Sequence, residues 1–384
     1  MNKIFKIILI IFLSIFLSLK IANANENKIK IGLLIPITGE NKNLGQLIIK
    51  STRMALEDIG NNRIEIYPKD TGSGPEQTLK SAIQLKDLGI KIVIGPLFYK
   101  SLSYLDDVEG VTFLSLTNKT EKLPNNVISS GVNATSQLKT IKRFMELNET
   151  QKTILLTPDL NFKSEIKKGI KESKIQISKH YIYDKEPTKL TAQIEKITNY
   201  KIRKQNLADE IRRVKNSDLA DKEKQLKKLE KKYTIGNVNF DSVIISDFNE
   251  SLKSVITSLL YTDVSPKQKS IITFNQWFDQ SILDEKNIQP IYYPSINNKN
   301  LKDFKNKFFR KFNKDPSHLS LLSYDLVGLI YYLSIDNDFA DLSKLFKKKS
   351  SFKGKIGIFD IQNNKINHRL NFYKIDNGKI KKIF

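Results

Sequence analysis

The hydrophobic positions of the chain alternate between short buried runs and helical stripes, in two successive series. The first series predicts strands over residues 28–36, 64–67, 90–94 and 111–116, with helices over 47–59 and 78–88. The second predicts strands over 153–157, 176–182, 241–246 and 269–274, with helices over 164–172 and 250–260. Strands that alternate with helices are typical of parallel sheets covered on both faces. We therefore predict two α/β lobes with a cleft at the carboxyl ends of their strands.

One segment, residues 187–233, interrupts this alternation, since it is strongly charged and has no glycine. Its apolar residues recur at helical spacings, first Leu207, Ile211 and Val214, then Leu226, Leu229 and Tyr233. Asn216-Ser217-Asp218 fits a break between two helices, so we predict a helical hairpin inserted in the second lobe. Residues 201–232 hold 12 Lys/Arg and 6 Asp/Glu. A solvated spacer is the simpler interpretation, and a docking device is the alternative.

The first 24 residues have the three parts of a secretory signal. Lys3 and Lys6 precede an apolar run over residues 7–19, and Ala22-Asn23-Ala24 provides small residues at the cleavage positions. The run is shorter than the roughly 20 apolar residues of a membrane span, although an uncleaved anchor is the alternative. The pattern predicts a signal peptide over residues 1–24, with the mature chain starting near Asn25 in the periplasm.

Cysteine content and charge narrow the classes of partner and chemistry. The chain has no cysteine, so it has no disulfide, no thiolate nucleophile and no cysteine-bound metal. Its formal charge is +23, from 64 Lys/Arg and 41 Asp/Glu. The basic residues are spread along the chain without a nucleic-acid motif, which favours a compositional origin and no nucleic-acid partner. In a secretory compartment, the partner that such a charge favours is an anionic envelope surface.

No motif in the sequence predicts catalysis. His180, His318 and His368 are far apart, and neither a metal-binding spacing nor a serine-hydrolase elbow nor a P-loop is present. The segment Asp70-Thr-Gly-Ser-Gly74 lacks the full phosphate-loop pattern and is better interpreted as a turn. The adjacent carboxylates Asp106-Asp107 are typical of a solvated surface. We predict no catalytic residue, no metal and no cofactor, and therefore a protein that is not an enzyme.

Several segments, in the same order along the chain, resemble type I periplasmic-binding proteins of the leucine-binding kind. They are Lys30-Ile-Gly-Leu-Leu-Ile-Pro-Ile-Thr-Gly39, Leu44-Gly45-Gln46, Ile92-Val-Ile-Gly-Pro-Leu97, Ser323-Tyr-Asp-Leu-Val-Gly-Leu329 and Phe352-Lys-Gly-Lys-Ile-Gly357. The resemblance implies a two-lobed type I periplasmic-binding fold, each lobe a mostly parallel sheet with helices on both faces. It also implies an N-terminal lobe of residues 28–146 and 296–350, and a C-terminal lobe of residues 147–295 and 351–384.

A narrower resemblance is to the alphaproteobacterial penicillin-binding-protein activators. It rests on Gln276-Trp277-Phe278-Asp279, on the turn Asn313-Lys-Asp-Pro316, and on the charged insertion before Phe240-Asp241-Ser-Val. Those envelope proteins stimulate peptidoglycan synthases by protein contact, and many carry a lipidated cysteine that this chain lacks. The resemblance implies an envelope scaffold whose partner is a peptidoglycan synthase.

The amino-acid-binding branch of the family implies a set of ligand residues. There, the loops after the third and fourth strands hold the ligand's carboxylate and ammonium groups. The corresponding positions are Tyr99, Ser101, Thr117, Asn118 and Lys119, with Phe162 as the aromatic that closes from the second lobe and Trp277 as a further candidate. Lys119 is bulky where a threonine is usual, which weakens the expectation of a free amino acid as ligand. Trp277 fits packing in the second lobe better than the cleft.

Two functions therefore stay open. The first is a non-enzymatic scaffold of the activator kind. The second is the solute-binding subunit of an ABC transporter, which would bind an amino acid, an amide or a short peptide between its lobes and deliver it to a permease. In the second case, the ligand would favour the closed state by its differential affinity.

Overall fold

The computed structural model describes residues 28–60, 63–275, 280–335 and 342–384. The predicted signal peptide and Trp277 lie outside the described residues. The described chain folds into two lobes, each built on its own sheet, with a small third sheet beside the first lobe.

The sheet of the first lobe has five parallel strands in the order β2-β1-β3-β4-β5. The strands are β1 (Ile29–Ile35), β2 (Ile64–Asp70), β3 (Ile92–Ile94), β4 (Thr112–Ser115) and β5 (Val127–Ser129). Helices α1 (Lys42–Ile59) and α2 (Pro75–Asp87) connect them. The predicted series is therefore confirmed. The strands other than β2 are buried on both faces, whereas β2 at the sheet edge is mostly half-buried.

The sheet of the second lobe has seven strands in the order β15-β14-β10-β9-β8-β6-β7. They are β6 (Thr153–Pro158), β7 (Lys179–Tyr183), β8 (Ser242–Ile245), β9 (Ser270–Thr273), β10 (Ile291–Ser295), β14 (Asn371–Asp376) and β15 (Lys379–Lys382). Helices α3 (Ala134–Leu147), α4 (Lys163–Ser173) and α8 (Asn249–Tyr261) belong to this lobe. At one edge, β14 pairs antiparallel with both β10 and β15, and the other pairings of this sheet are parallel.

The third sheet is an antiparallel meander, and its strands are β11 (Ser350–Lys353), β12 (Ile358–Gln362) and β13 (Lys365–Arg369). The remaining helices are α9 (Gln280–Asp284), α10 (Asn298–Phe312), α11 (His318–Ile335) and α12 (Leu342–Leu345). Helix α11 is long and apolar enough by composition to cross a membrane, and most of it is buried in the first lobe, where it contacts α1. Core packing accounts for its apolar character.

The structure moves the predicted lobe boundaries in two places. Helix α3 was expected in the first lobe, but Ile141 and Phe144 pack with Leu155 and Ile244 of the second sheet. The third sheet was expected in the second lobe, but Phe359 packs in the core of the first lobe. Burial of these apolar faces decides where each element belongs. We therefore propose lobe limits near residues 133 and 370.

The charged insertion forms helices α5 (Pro187–Ile197), α6 (Tyr200–Lys215) and α7 (Lys222–Leu229). Helix α5 packs into the core of the second lobe through Leu190 and Ile194, so the protruding hairpin consists of α6 and α7. The hairpin has its own small core, made by Leu207, Val214 and Leu229. The predicted break falls between the two helices, but Tyr233, predicted to share the apolar face, is 76% exposed.

Arg203 fixes the hairpin to the second lobe. Its guanidinium, 6% exposed, donates to the carbonyls of Gly236 at 3.1 Å and Thr262 at 3.0 Å, and to the Thr234 hydroxyl at 2.8 Å. The Asp263 carboxylate lies 3.7 Å away. A buried guanidinium with several acceptors in place is expensive to remove, because the acceptors lose their partners.

We predict that Arg203→Ala lowers the free energy of unfolding by about 2–4 kcal/mol. The matched control is Arg213→Ala, which removes an exposed guanidinium paired with Glu210 and is expected to cost less than about 1 kcal/mol. Urea unfolding followed by circular dichroism measures both values. Equal losses in the two variants would contradict the anchoring role.

Candidate functional site

The cleft side of the first lobe contains a pocket of about 250 Å³, at the carboxyl ends of β3, β4 and β5. Its apolar lining consists of Leu97, Phe98, Leu116, Val132, Leu319, Leu322 and Ile356. Its polar lining side chains are those of Tyr99, Thr117, Asn118 and His318. Every described residue of this lining belongs to the first lobe as we delimit it. The pocket has the position predicted for a ligand site in an open α/β sheet.

Asp325, on α11, positions one wall of this pocket. Its buried carboxylate accepts hydrogen bonds from the backbone N–H groups of Lys355 at 2.9 Å and Ile356 at 2.7 Å. Burial raises the pKa of Asp325 to about 6, against the lowering effect of these two donors. A Cβ atom at Gly354 would lie 2.4 Å from the carboxylate, so the loop approaches Asp325 closely. Helix α11 thus holds the loop that places Ile356 at the pocket.

The polar groups of the two predicted ligand loops are bonded mainly to one another. The Tyr99 hydroxyl donates to the carbonyls of Glu121 and Lys122, both at 3.2 Å. The Lys119 ammonium lies 4.4 Å from the centroid of the Tyr99 ring, a cation–π contact. The Thr117 hydroxyl accepts from the backbone N–H of Lys119 at 3.2 Å. These contacts stiffen the loops and use hydrogen-bonding groups that a ligand would need.

The remaining predicted site residues are dispersed. Ser101 is 1% exposed, lies outside the pocket lining, and its hydroxyl has no hydrogen-bond partner in the described part of the chain. Phe162 packs edge to face on Phe248 of the same lobe, with ring centroids 6.4 Å apart, and does not line the pocket. Asn118 is exposed at the pocket. The structure thus brings Tyr99, Thr117 and Asn118 to one pocket and leaves Ser101 and Phe162 outside it.

Glu165, in the first turn of α4, joins the second lobe to the loop after β4. Its carboxylate accepts from the backbone N–H groups of Thr120 and Glu121 and from the Thr120 hydroxyl, each at 2.8 Å. Glu165 is 9% exposed, and the Lys168 ammonium donates to the Thr120 carbonyl at 2.6 Å. Sequence reasoning missed this residue, because an acid in the first turn of a helix is ordinarily explained by the helix dipole.

A second set of contacts joins α4 to the third sheet. The Glu172 carboxylate accepts from the Lys365 ammonium and from the Thr135 hydroxyl, both at 2.9 Å. Burial opposes ionisation of Glu172, but these donors outweigh it and hold the pKa of the carboxyl below its usual value. Asn133 donates its side-chain N–H to the Ile366 carbonyl at 3.0 Å. The two lobes are therefore linked at several points by contacts within the chain.

His368 lies at the junction of the third sheet and the loop after β5. It is fully buried, and its Nε2 atom lies 2.9 Å from the Ser130 carbonyl, to which the neutral ring donates. Its backbone N–H donates to the Ser136 hydroxyl at 2.9 Å. Burial lowers the pKa of His368 to about 4, so the ring is neutral at physiological pH. His368 is a structural residue of the lobe junction.

Groups suited to other chemistry are scattered over the described residues. Within that part of the chain, no three His, Asp or Glu side chains are placed to hold a metal ion. Asp106 accepts a backbone hydrogen bond from Asn125 at 2.7 Å, as a turn residue. The Asp70 carboxylate accepts from Ile37, Thr38 and Gly72, so the suspected phosphate loop is a self-satisfied turn.

Comparison with known proteins gives a match to one family over part of the chain. Residues 28–197 match the family model described as periplasmic binding protein. No curated protein sequence matches the chain. The solved structures similar to this chain show that it has the two-lobed periplasmic-binding fold, as the ordered motifs predicted.

Three solved structures illustrate the range of similar proteins. The branched-chain amino acid transporter substrate-binding protein LivJ from Streptococcus pneumoniae, in complex with isoleucine, is 18% identical, with 92% of this chain and 98% of that chain covered and a TM-score of 0.54. The C-domain of LpoA from Haemophilus influenzae, a regulator of PBP1A, is 15% identical, with 92% and 100% covered and a TM-score of 0.63. A putative branched-chain amino acid ABC transporter from Rhodospirillum rubrum is 11% identical, with 93% and 100% covered and a TM-score of 0.69. Binding proteins and a regulator thus share this fold.

We predict that acid destabilises the protein through His368. In the unfolded chain the ring has its ordinary pKa near 6.5, so it takes up a proton at a higher pH than the folded chain, whose pKa is about 4. The stability is complete above pH 6.5 and is lost progressively as the pH falls toward 4, by on the order of 3 kcal/mol.

The test is urea unfolding across this pH range for the native protein and His368→Gln, whose side-chain amide can donate to Ser130 but does not titrate. The variant is expected to lose less stability in acid. Parallel pH curves for the two proteins would show that His368 is not responsible.

Proposed function

We propose that this protein is a non-enzymatic envelope scaffold of the periplasm that acts by protein contact, like the penicillin-binding-protein activators. One observation carries the proposal: the Glu165 carboxylate of the second lobe already occupies the N–H groups of the loop after β4. In this proposal, the partner is a peptidoglycan synthase, and contacts within the chain hold the two lobes together.

A solute receptor and the proposed scaffold differ in what holds their two lobes together. A solute receptor closes because its ligand contacts both lobes and binds the closed state more tightly than the open one. Here a side chain of the second lobe makes charge-assisted hydrogen bonds of ordinary length to the first lobe. An acidic ligand directed at the same N–H groups would have to displace the Glu165 carboxylate. In this proposal, side chains of the protein itself hold the two lobes together, so no solute is needed for that purpose.

The pocket supports the same proposal. A free amino acid needs partners for its ammonium and carboxylate groups, because a polar group buried without a partner costs about 1–3 kcal/mol. Around the pocket, Tyr99, Thr117 and Lys119 are engaged with neighbouring loop groups. The Asn118 side chain and His318 provide polar atoms at a pocket whose other walls are mostly apolar.

The solved neighbours agree with this proposal at the level of fold. The LpoA C-domain, which spans the same two lobes, belongs to a regulator of PBP1A. That likeness is one of fold, at 15% identity, and it supports a regulatory role on this scaffold. The match of residues 28–197 to a periplasmic binding protein model and the predicted signal peptide support an envelope location.

The second candidate is the solute-binding subunit of an ABC transporter, with a membrane permease as partner. The observation that favours it is the apolar pocket of about 250 Å³ at the strand ends, large enough for a branched aliphatic side chain. Tyr99, Thr117 and Asn118 would contact that ligand, while Trp277, outside the described residues, stays a predicted contributor.

A ligand screen and an activity assay separate the two functions. Thermal unfolding with each standard amino acid is expected to show no stabilisation at millimolar concentration, since a ligand that binds the native state raises its melting temperature by mass action. Adding the protein to a purified bifunctional peptidoglycan synthase is expected to increase glycan polymerisation. A micromolar amino-acid ligand, with no effect on the synthase, would refute the scaffold.

We also predict that Glu165→Ala loosens the lobes. The substitution leaves two backbone N–H groups without their carboxylate, so the unfolding free energy is expected to fall by about 1–3 kcal/mol. Small-angle X-ray scattering is expected to show a larger radius of gyration. The control is Glu223→Ala, at an exposed position on α7. Unchanged scattering in Glu165→Ala would show that the carboxylate does not hold the lobes together.

A further inference from the structure

Four lysines of the α6–α7 hairpin form a continuous cationic strip, which we call the lysine face: Lys224, Lys227, Lys228 and Lys231. The first three are spaced i, i+3 and i+4 on α7, and Lys231 lies in the turn that follows. This spacing puts them on one side of the helix, opposite the buried Leu229 and the half-buried Leu226. All four are exposed.

The lysine face forms no ion pair within the described chain, although Asp221 and Glu223 line the concavity beside it. The arginines of the facing helix, in contrast, are paired, Arg212 with Asp209 and Arg213 with Glu210. Like charges three and four residues apart weaken a helix. A helix of only eight residues gains little from its own propensity, so a partner that neutralises the strip would stabilise it.

Exposed apolar side chains flank the lysine face on both sides. A shallow concavity of about 830 Å³ is lined by the lysine face and by Leu219, which is 42% exposed. Lys222, Asp221 and Glu223 also line it, so five lysines outnumber two carboxylates there. Lys231 also borders a second concavity, which contains Tyr233, 76% exposed. Apolar residues beside a lysine strip are the combination that inserts into the headgroup boundary of a membrane while the ammonium groups reach phosphate.

The hairpin presents this surface in a fixed orientation. Its core of Leu207, Val214 and Leu229 is buried, and Arg203 ties its base to the second lobe through carbonyl groups. The lysine face is therefore preformed, and its binding needs no folding of a disordered segment. None of its residues lines the pocket at the cleft.

We propose that the lysine face, with Leu219 and Tyr233 beside it, binds the surface of a bilayer that contains anionic phospholipid. Lysine alone provides the charge of the strip. Its compact, hydrated ammonium suits a diffuse layer of lipid phosphates, whereas bidentate recognition of carboxylates on an acidic protein favours arginine. Clusters of four or more basic residues on a helix attract anionic lipid surfaces. This contact orients the lobes relative to the membrane.

The test uses vesicles of phosphatidylcholine, alone or with about 30 mol % phosphatidylglycerol, and measures cosedimentation of the whole protein. Binding is expected only to the anionic vesicles and is expected to weaken as salt rises from about 0.05 to 0.5 M. Replacing the four lysines of the face by glutamine is expected to weaken binding by on the order of 100-fold. Replacing the same four by arginine is expected to preserve it.

The matched control replaces four exposed lysines of the first lobe, Lys42, Lys80, Lys86 and Lys100, by glutamine, which changes the net charge equally. It is expected to weaken vesicle binding by less than about 3-fold. Equal losses in the two glutamine variants would overturn the proposal and assign the attraction to the overall charge of the chain. The proposal would also be overturned if the wild-type protein did not bind anionic vesicles. Binding to soluble polyglutamate but to no vesicle would overturn it as well and would indicate an acidic protein partner.

Two further measurements separate folding from binding. Removing like charges from α7 is expected to leave the melting temperature of the glutamine variant unchanged or slightly higher, so its loss of binding does not reflect unfolding. Changing Leu219 and Tyr233 to serine is expected to weaken vesicle binding several-fold and to make the remainder more sensitive to salt. Unchanged binding in that double variant would refute the contribution of the apolar flanks.

Discussion

The structure depends on one constraint: the central parallel strands are buried on both faces and need helices on each side. Ile31, Leu33, Ile92 and Ile94 face one core of the first lobe, while Leu34 and Val93 face another. Helix α11 provides much of the cover on one side, which explains its membrane-like composition. Because the strands are parallel, their carboxyl ends lie at the same edge of each sheet. The loops that carry the candidate site residues therefore converge at the cleft.

At the cleft, side chains of the second lobe make hydrogen bonds directly to the first lobe. Glu165 accepts hydrogen bonds from the loop after β4, and Glu172 pairs with Lys365 of the third sheet. His368 stays neutral in the junction because burial disfavours its charged form. These contacts make the relation between the lobes a property of the folded chain. The pocket that remains beside them is small and mostly apolar.

The sequence predicted two loops that meet at one pocket in the structure, but it did not resolve the contacts of their polar groups. The two strand ends at residues 97–101 and 115–119 were predicted, and Tyr99, Thr117 and Asn118 do line one pocket. A short 3₁₀ turn buries Ser101, and an aromatic contact with Phe248 keeps Phe162 in the second lobe. The sequence shows neither contact, so neither residue could be excluded from the site in advance. Glu165 carried no sequence signal, since its hydrogen-bond donors are more than 40 residues away.

The sequence by itself determined many of the elements, the two α/β series and the inserted hairpin, because hydrophobic periodicity and turn residues are local properties. The tertiary structure alone decided which lobe owns α3 and the third sheet, since their apolar faces are buried by whichever core they meet. It also decided that loop polar groups satisfy one another and that the lysines of α7 share one exposed face. These features depend on contacts between residues that are far apart in the chain, or between a helix and the core on which it packs. No single stretch of sequence determines such contacts.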